Sequence, residues 1–212
     1  EPLNEGKESP EHTITLISMG PDRATEAIRK GLSMGADDAV LVTDAALAGS
    51  DAIATSKVLA EVIKNGGFDL VFCGTESTDA RMSVVPAMLA ERLGWAQLTF
   101  AGSVKVDAGA RSVEIARMTE SGVENMTANF PCVISVIEKI NEPRYPSFKG
   151  IMAAKKKVIE SRDLAAVGVS VDSAWSLVAD SSPRPPRAAG IKISDDNAAD
   201  QMVSFLAEKK LI

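Results

Sequence analysis

Two stretches of this sequence hold residue types that can act on a ligand or a partner. The first is GTESTDARMSVV, Gly74 to Val85. It follows the apolar run FDLVFC and leads into a helical pattern that opens near Ser83. Gly74 lets a ligand approach the backbone closely. Ser77, Thr78, Asp79, Arg81 and Ser83 supply polar contacts for a phosphate. A helix start adds free N–H groups and the positive end of a dipole. Met19-Gly20 and Thr43-Asp44 stand at the ends of two further apolar runs. In an open α/β sheet, ligands sit outside the carboxyl ends of the strands, so these ends form a candidate nucleotide-phosphate site. The sequence has neither a Walker loop nor GxGxxG. The same residues also read as caps of the helix that opens near Ser83.

The second stretch is INEPRYPSFKGIMAAKKK, Ile140 to Lys157. Pro143 and Pro146 brace a turn carrying Tyr145 and Phe148, and three consecutive lysines follow in a chain of formal net charge −6. That composition suits a contact segment better than a core element. Lys155, Lys156 and Lys157 can hold an acidic partner or simply be solvated.

Other chemistries lack raw material. His12 is the single histidine, which leaves no His-based triad and no multi-histidine metal site. Cys73 and Cys132 lie inside apolar runs and read as buried thiols in a reducing compartment, with no disulfide or metal spacing. The acidic balance gives no footprint for nucleic acid. No apolar run reaches the roughly 18 residues of a membrane span, so no membrane insertion is expected. The polar opening, Glu1 to Glu11, reads as a loose lead-in and not as a signal peptide.

The elements that must position these stretches follow from periodicity. An apolar content of 45% suffices for a sizeable core. TITLISM (13–19), AVLVTD (39–44) and FDLVFCG (68–74) are β-branched and apolar, hence buried strands. Helical spacing fills the intervals: Ala24, Ala27, Ile28 and Leu32, stopped at Gly35; then 50–67, with Ser50 as N-cap and Gly66-Gly67 as terminator; then 83–94, with Pro86 in the first turn. Alternating strands and helices with short loops imply right-handed crossovers and a parallel, doubly wound sheet. From 100 to 130 the pattern becomes alternating, with turns at Asp107-Ala108-Gly109 and Ser121-Gly122, which predicts an antiparallel hairpin extension. PCVISVIE (131–138) is a last buried strand. Residues 158–212 read as a second part: a Pro-rich, weakly periodic arm with apolar anchors at Val169, Val171, Trp175, Leu177 and Val178. A terminal helix carries Ala198, Met202, Phe205 and Leu206. Such an arm lies either on its own domain, residues 1–157, or on another subunit.

The run SMGPDRATEAIRKGLSMGADDAVLVTD, then DLVFCGTESTD, and above all INEPRYPSFKGIMAAKKK closely resemble the beta subunit of electron transfer flavoproteins. The resemblance runs from about Thr13 to Ile212. It implies an α/β fold of adenine-nucleotide-binding type and a heterodimer with an alpha subunit, which the arm embraces. It also implies electron carriage from flavin dehydrogenases, such as acyl-CoA dehydrogenases, to a downstream acceptor. The redox FAD would belong mainly to the alpha subunit, and this chain would hold a structural AMP. It would be a carrier subunit with no catalytic residues of its own, cytoplasmic in a bacterium or in the mitochondrial matrix of a eukaryote. Residues 140–152 resemble the family's recognition loop, which docks the dehydrogenase. Phe148 takes the place of the apolar anchor, Tyr145 stiffens the approach, and Ile151 and Met152 pack beneath. Met19, Gly20, Gly74, Thr75, Ser77, Asp79 and Ser83, Val84 and Val85 match the AMP site. The chain departs from the family at Asp79-Ala80-Arg81-Met82, where side-chain donors are fewer: either Arg81 compensates, or AMP binds weakly or not at all. This argues against a second, bifurcating FAD. The family's first strand, central to its sheet, and the helix after it have no counterpart in this sequence. The residues read without the resemblance also fit a stand-alone nucleotide-binding module of universal-stress type.

Overall fold

The computed structural model describes residues 12–171, 180, 182–183, 185–187, 189–190, 192–193 and 196–212. The lead-in 1–11 and the anchors Trp175, Leu177 and Val178 lie outside the described residues. The chain divides into two compact units, Glu1–Leu177 and Val178–Ile212.

The first unit opens with β1 (Thr15–Met19), α1 (Thr25–Ser33), β2 (Asp38–Val42) and α2 (Ala52–Lys64). β1 and β2 pair in parallel, Thr15 opposite Asp38 through Met19 opposite Val42. β2 is buried on both faces because its side chains alternate between two helical layers. Ala39 and Leu41 pack against Ile28, Leu32 and Ala154, while Val40 and Val42 pack against Leu47, Val58, Val62 and Val167. The helix stops follow the glycines: Gly35 and Gly67 both have positive φ, at 116° and 67°. The N-cap of α2 is Asp51, not Ser50. The Asp51 carboxylate accepts from the Ala54 N–H at 2.9 Å, whereas the Ser50 hydroxyl turns back to the Leu47 carbonyl.

The far edge of β2 is taken by β8 (Glu160–Arg162), parallel to it. The short helix α5 (Leu164–Val167) follows β8, with Val167 in the core. The residues just after 157 therefore pack in the first unit. Glu160, Ser161 and Arg162 carry no apolar alternation that could announce a strand. Backbone pairing with β2 makes it one.

The second sheet contains β3 (Leu70–Gly74), β4 (Ala96–Asp107), β5 (Ser112–Thr119), β6 (Gly122–Asn129) and β7 (Cys132–Val136), in the order β3-β7-β4-β5-β6. β7 lies parallel between β3 and the start of β4. The expected hairpin region is an antiparallel meander: β4 pairs with β5, and β5 with β6. β4 serves both halves because its register shifts between Leu98 and Ala101. Phe100, at φ 60°, makes the bend, and its N–H donates to the Ser135 hydroxyl at 3.0 Å. One face of β7, Cys132 and Ile134, packs with Leu98, Val113 and Ile115. The other, Val133, packs under Ala60, Ile63, Leu89 and Ala90, the last two from α3 (Val85–Leu93). β1 and β3 are edge strands of their two sheets. Ile17 of β1 packs into both the Val58 cluster and the Val133 cluster, so α2 is shared between the sheets.

After β7 the chain passes through a 3-10 turn, Glu138–Ile140, and an extended stretch into α4 (Phe148–Lys156). In the second unit, α6 (Ala198–Glu208) leaves Met202 and Val203 more than half exposed and Phe205 at 42%.

Candidate functional site

The carboxyl ends of β1 and β2 open into a cleft of about 420 Å³ lined by Met19, Gly20, Pro21, Asp22, Thr43, Asp44, Ala45, Leu47 and Ala48. That volume falls in the range of small-ligand sites, roughly 300–1,000 Å³. Its wall is fixed by backbone: the Gly20 N–H donates to Val42 O at 3.0 Å, and the Thr43 N–H to Arg162 O at 2.9 Å. Asp44 is held by two N–H donors, Ala46 at 2.9 Å and Leu164 at 3.2 Å. The Thr43 hydroxyl donates to Asp22 Oδ1 at 3.3 Å. Two carboxylates here disfavour a phosphate but offer acceptors to ribose hydroxyls and an exocyclic amine. The cleft therefore suits a ligand that presents hydroxyl or amine donors. Of the ten residues read as nucleotide-binding, only Met19 and Gly20 line it. Thr43 and Asp44 stand at a strand end in the sequence, whereas no sequence signal marks Asp22 as a site residue.

The other eight belong to the segment from β3 into α3. Gly74 ends β3, and the Thr75 hydroxyl donates to Val136 O at 2.8 Å, fastening the loop to β7. Ser77 donates to the Asp79 carboxylate, which also accepts the Ala80 N–H at 2.6 Å. These bonds, led by the Ser77 hydroxyl, pull the Asp79 carboxyl below its ordinary pKa. Arg81 and Ser83 both take left-handed backbone, at φ 51° and 56°. Helix capping, the rival reading, is not realised. The N-cap of α3 is Val84, with no side-chain cap, and the Ser83 hydroxyl reaches instead toward Glu76 at 3.4 Å. The first-turn N–H groups of α3 thus keep no side-chain acceptor. Arg81 and those groups can meet an anion, while Asp79 and Glu76 oppose one.

The second candidate surface is the turn before α4. Tyr145 is 96% exposed and Phe148 80%. Phe148 is therefore not a core residue under the loop. Ile151 and Met152, one turn on, are themselves 38% and 42% exposed, so they continue the apolar surface behind it. The Ser147 hydroxyl caps α4 by accepting the Gly150 N–H at 3.1 Å. Of the three lysines, Lys155 and Lys156 are exposed, but Lys157 turns inward. Its ammonium donates to Ala36 O at 2.7 Å and Asp37 O at 2.9 Å.

A model of the electron transfer flavoprotein domain matches residues 1–167. The chain belongs to the electron transfer flavoprotein family. Among curated relatives, it is 48% identical to the electron transfer flavoprotein subunit beta of Mycobacterium leprae, covering 94% of this chain and 77% of that one. It is 37% identical to the subunit of the same name from Megasphaera elsdenii, over 94% of this chain and 79% of that one. It is 36% identical to the protein FixA of Azotobacter vinelandii, over 74% and 58%. The family assignment agrees with the α/β architecture and the mostly parallel sheets. Among the described residues of this beta-subunit homologue, no helix is long and apolar enough to cross a membrane, and no His, Cys, Asp and Glu cluster could hold a metal.

Proposed function

We propose that this chain is the beta subunit of a heterodimeric carrier that takes electrons from flavin dehydrogenases of acyl-CoA dehydrogenase type to a downstream acceptor. The observation that carries this reading is Phe148, 80% exposed at the start of α4. A side chain of that size held in water gains most by entering a partner's pocket, where it can act as a hot spot of about 2 kcal/mol or more. Residues 140–152 are the docking segment. The alpha subunit is the second partner, as the relatives' name, subunit beta, supports. The part of the expected arm 158–212 that lies beyond β8 and α5, with α6 at its end, grips it. Exposed Met202, Val203 and Phe205 give α6 an apolar surface for that contact.

FAD, held mainly by the alpha subunit, supplies the redox chemistry when bound. This chain binds, orients and docks, and contributes no catalytic group. AMP is a structural ligand of this chain. Its adenosine part suits the cleft at Met19, Gly20, Asp22, Thr43 and Asp44. The loop of Ser77, Arg81 and Ser83, with the N–H groups that open α3, suits the phosphate. The free thiols Cys73 and Cys132 suit a bacterial cytoplasm.

The test is electron delivery by the heterodimer co-expressed with its alpha subunit. Phe148→Ala is expected to lower kcat/KM for an acyl-CoA dehydrogenase about thirtyfold, with subunit stoichiometry and FAD content unchanged. Unaltered delivery removes the docking role. Nucleotide released on denaturing the complex is expected to be FAD and AMP, and FAD alone would remove the AMP assignment.

A further inference from the structure

The hydrophobic effect alone would draw Phe148 and Tyr145 back onto the protein. On one side of the turn the chain is bonded to the C-terminal end of α1, and on the other it packs tightly against the same place. Before the turn, Arg144 donates from Nη2 to the Met34 carbonyl at 2.7 Å. Gly35 makes room for that guanidinium, since a β-carbon there would lie 3.0 Å from Nη2. After the turn, Gly150 passes so close to Ser33 that a β-carbon would stand 2.6 Å from the Ser33 carbonyl oxygen. Two consecutive carbonyls, Ser33 at the end of α1 and Met34 at its C-cap, thus meet the two residues that bracket Tyr145, Pro146, Ser147, Phe148 and Lys149. Tyr145, Phe148 and Lys149 touch solvent while Arg144 is bonded to the end of α1 and Gly150 is packed against it.

We infer that Arg144 and Gly150 are positioning residues that pre-order the docking turn, so that its anchors meet the dehydrogenase without first losing chain entropy. The inference rests on the reading of 140–152 as the docking segment. A turn ordered in advance does not lose that freedom on association. The Arg144 bond is solvent-exposed, so it adds little to stability. Losing it should loosen the turn and leave the fold intact. A residue of purely structural importance would behave the opposite way, lowering stability and flavin content together.

The experiment uses the co-expressed complex as acceptor for an acyl-CoA dehydrogenase and compares Arg144→Met, Arg144→Lys, Gly150→Ala and Phe148→Ala. Arg144→Met and Gly150→Ala are expected to raise KM for the complex about three- to tenfold. Their kcat and FAD content should hold, while amide exchange across residues 145–149 quickens. Arg144→Lys keeps the charge without the planar fork and should recover part of the loss. If Phe148→Ala raises KM while Arg144→Met changes neither KM nor exchange, the positioning role is overturned and docking stands. If Phe148→Ala leaves KM unchanged, docking itself fails and this inference falls with it. Loss of kcat and FAD together in Arg144→Met also overturns positioning. Should Gly150→Ala not fold, Arg144→Met decides alone.

Discussion

Arg29 of α1 donates from Nη1 to the carbonyl oxygen of Ala154 in α4 at 2.6 Å, although the two residues are 125 apart in sequence. The same nitrogen reaches the Lys157 carbonyl. Lys157 answers by donating to Ala36 and Asp37 beyond the end of α1. Each helix of the pair therefore supplies a cation to carbonyls at or just past the end of the other, where backbone acceptors lack intrahelical partners.

That reciprocity makes Arg29 a stability residue. Arg29→Met strips a part-buried charged donor from two carbonyls. It is expected to cost about 1–3 kcal/mol, read as a lower Tm of the purified complex. An unchanged Tm would show that solvent replaces the bonds.

Core packing gives a second expectation. Leu98 is 1% exposed at the point where β4 shifts register against its parallel neighbour β7. Leu98→Ala should cost about 2–5 kcal/mol by denaturant unfolding, because the meander and β7 cannot both close on the space.

Burial pushes the Cys73 thiol up to about 11. The neutral form is favoured, so thiolate is scarce at neutral pH and appears only as pH rises toward that value. Reaction of the native complex with a disulfide reagent is expected to stay slow at pH 8 and become fast on unfolding. Fast labelling of Cys73 in the native state would contradict this.

The cleft at the end of β1 gives a fourth. A β-carbon on Gly20 meets Ala24 at an ordinary 3.4 Å, so the fold tolerates a side chain there. Gly20→Val should narrow the cleft and lower the AMP released on denaturation, with FAD retained. Unchanged AMP content would move the nucleotide elsewhere.

Asp79 carries a pH expectation with a definite sign. Its folded pKa is depressed, chiefly by the Ser77 hydroxyl. The closure of its loop is therefore present above the ordinary carboxylate value of about 3.9 and is lost as pH falls through the lower folded value. Amide exchange at Ala80 should quicken only in that acid range, and Asp79→Asn should weaken the closure at neutral pH.

Much of this architecture was legible in order along the chain. The β-branched runs at 13–19, 39–44 and 68–74, the glycine stops and the turns at 107–109 and 121–122 report on neighbours a few residues apart, so the sequence alone determined the elements up to β7 and their succession. It also marked the turn at Tyr145 and Phe148 as unlike a core segment. Tertiary structure decided the rest. Glu160–Arg162 is a strand because β2 offers it a partner. Lys157 leaves its two neighbouring lysines and turns inward because carbonyls after α1 await it. Asp51 caps α2 where Ser50 was expected, and Ser83 does not cap α3. Phe148 stays in water because Arg144 and Gly150 meet α1 more than a hundred residues earlier. Such contacts depend on closing long loops and on which buried acceptors remain unmet, and no local pattern encodes either.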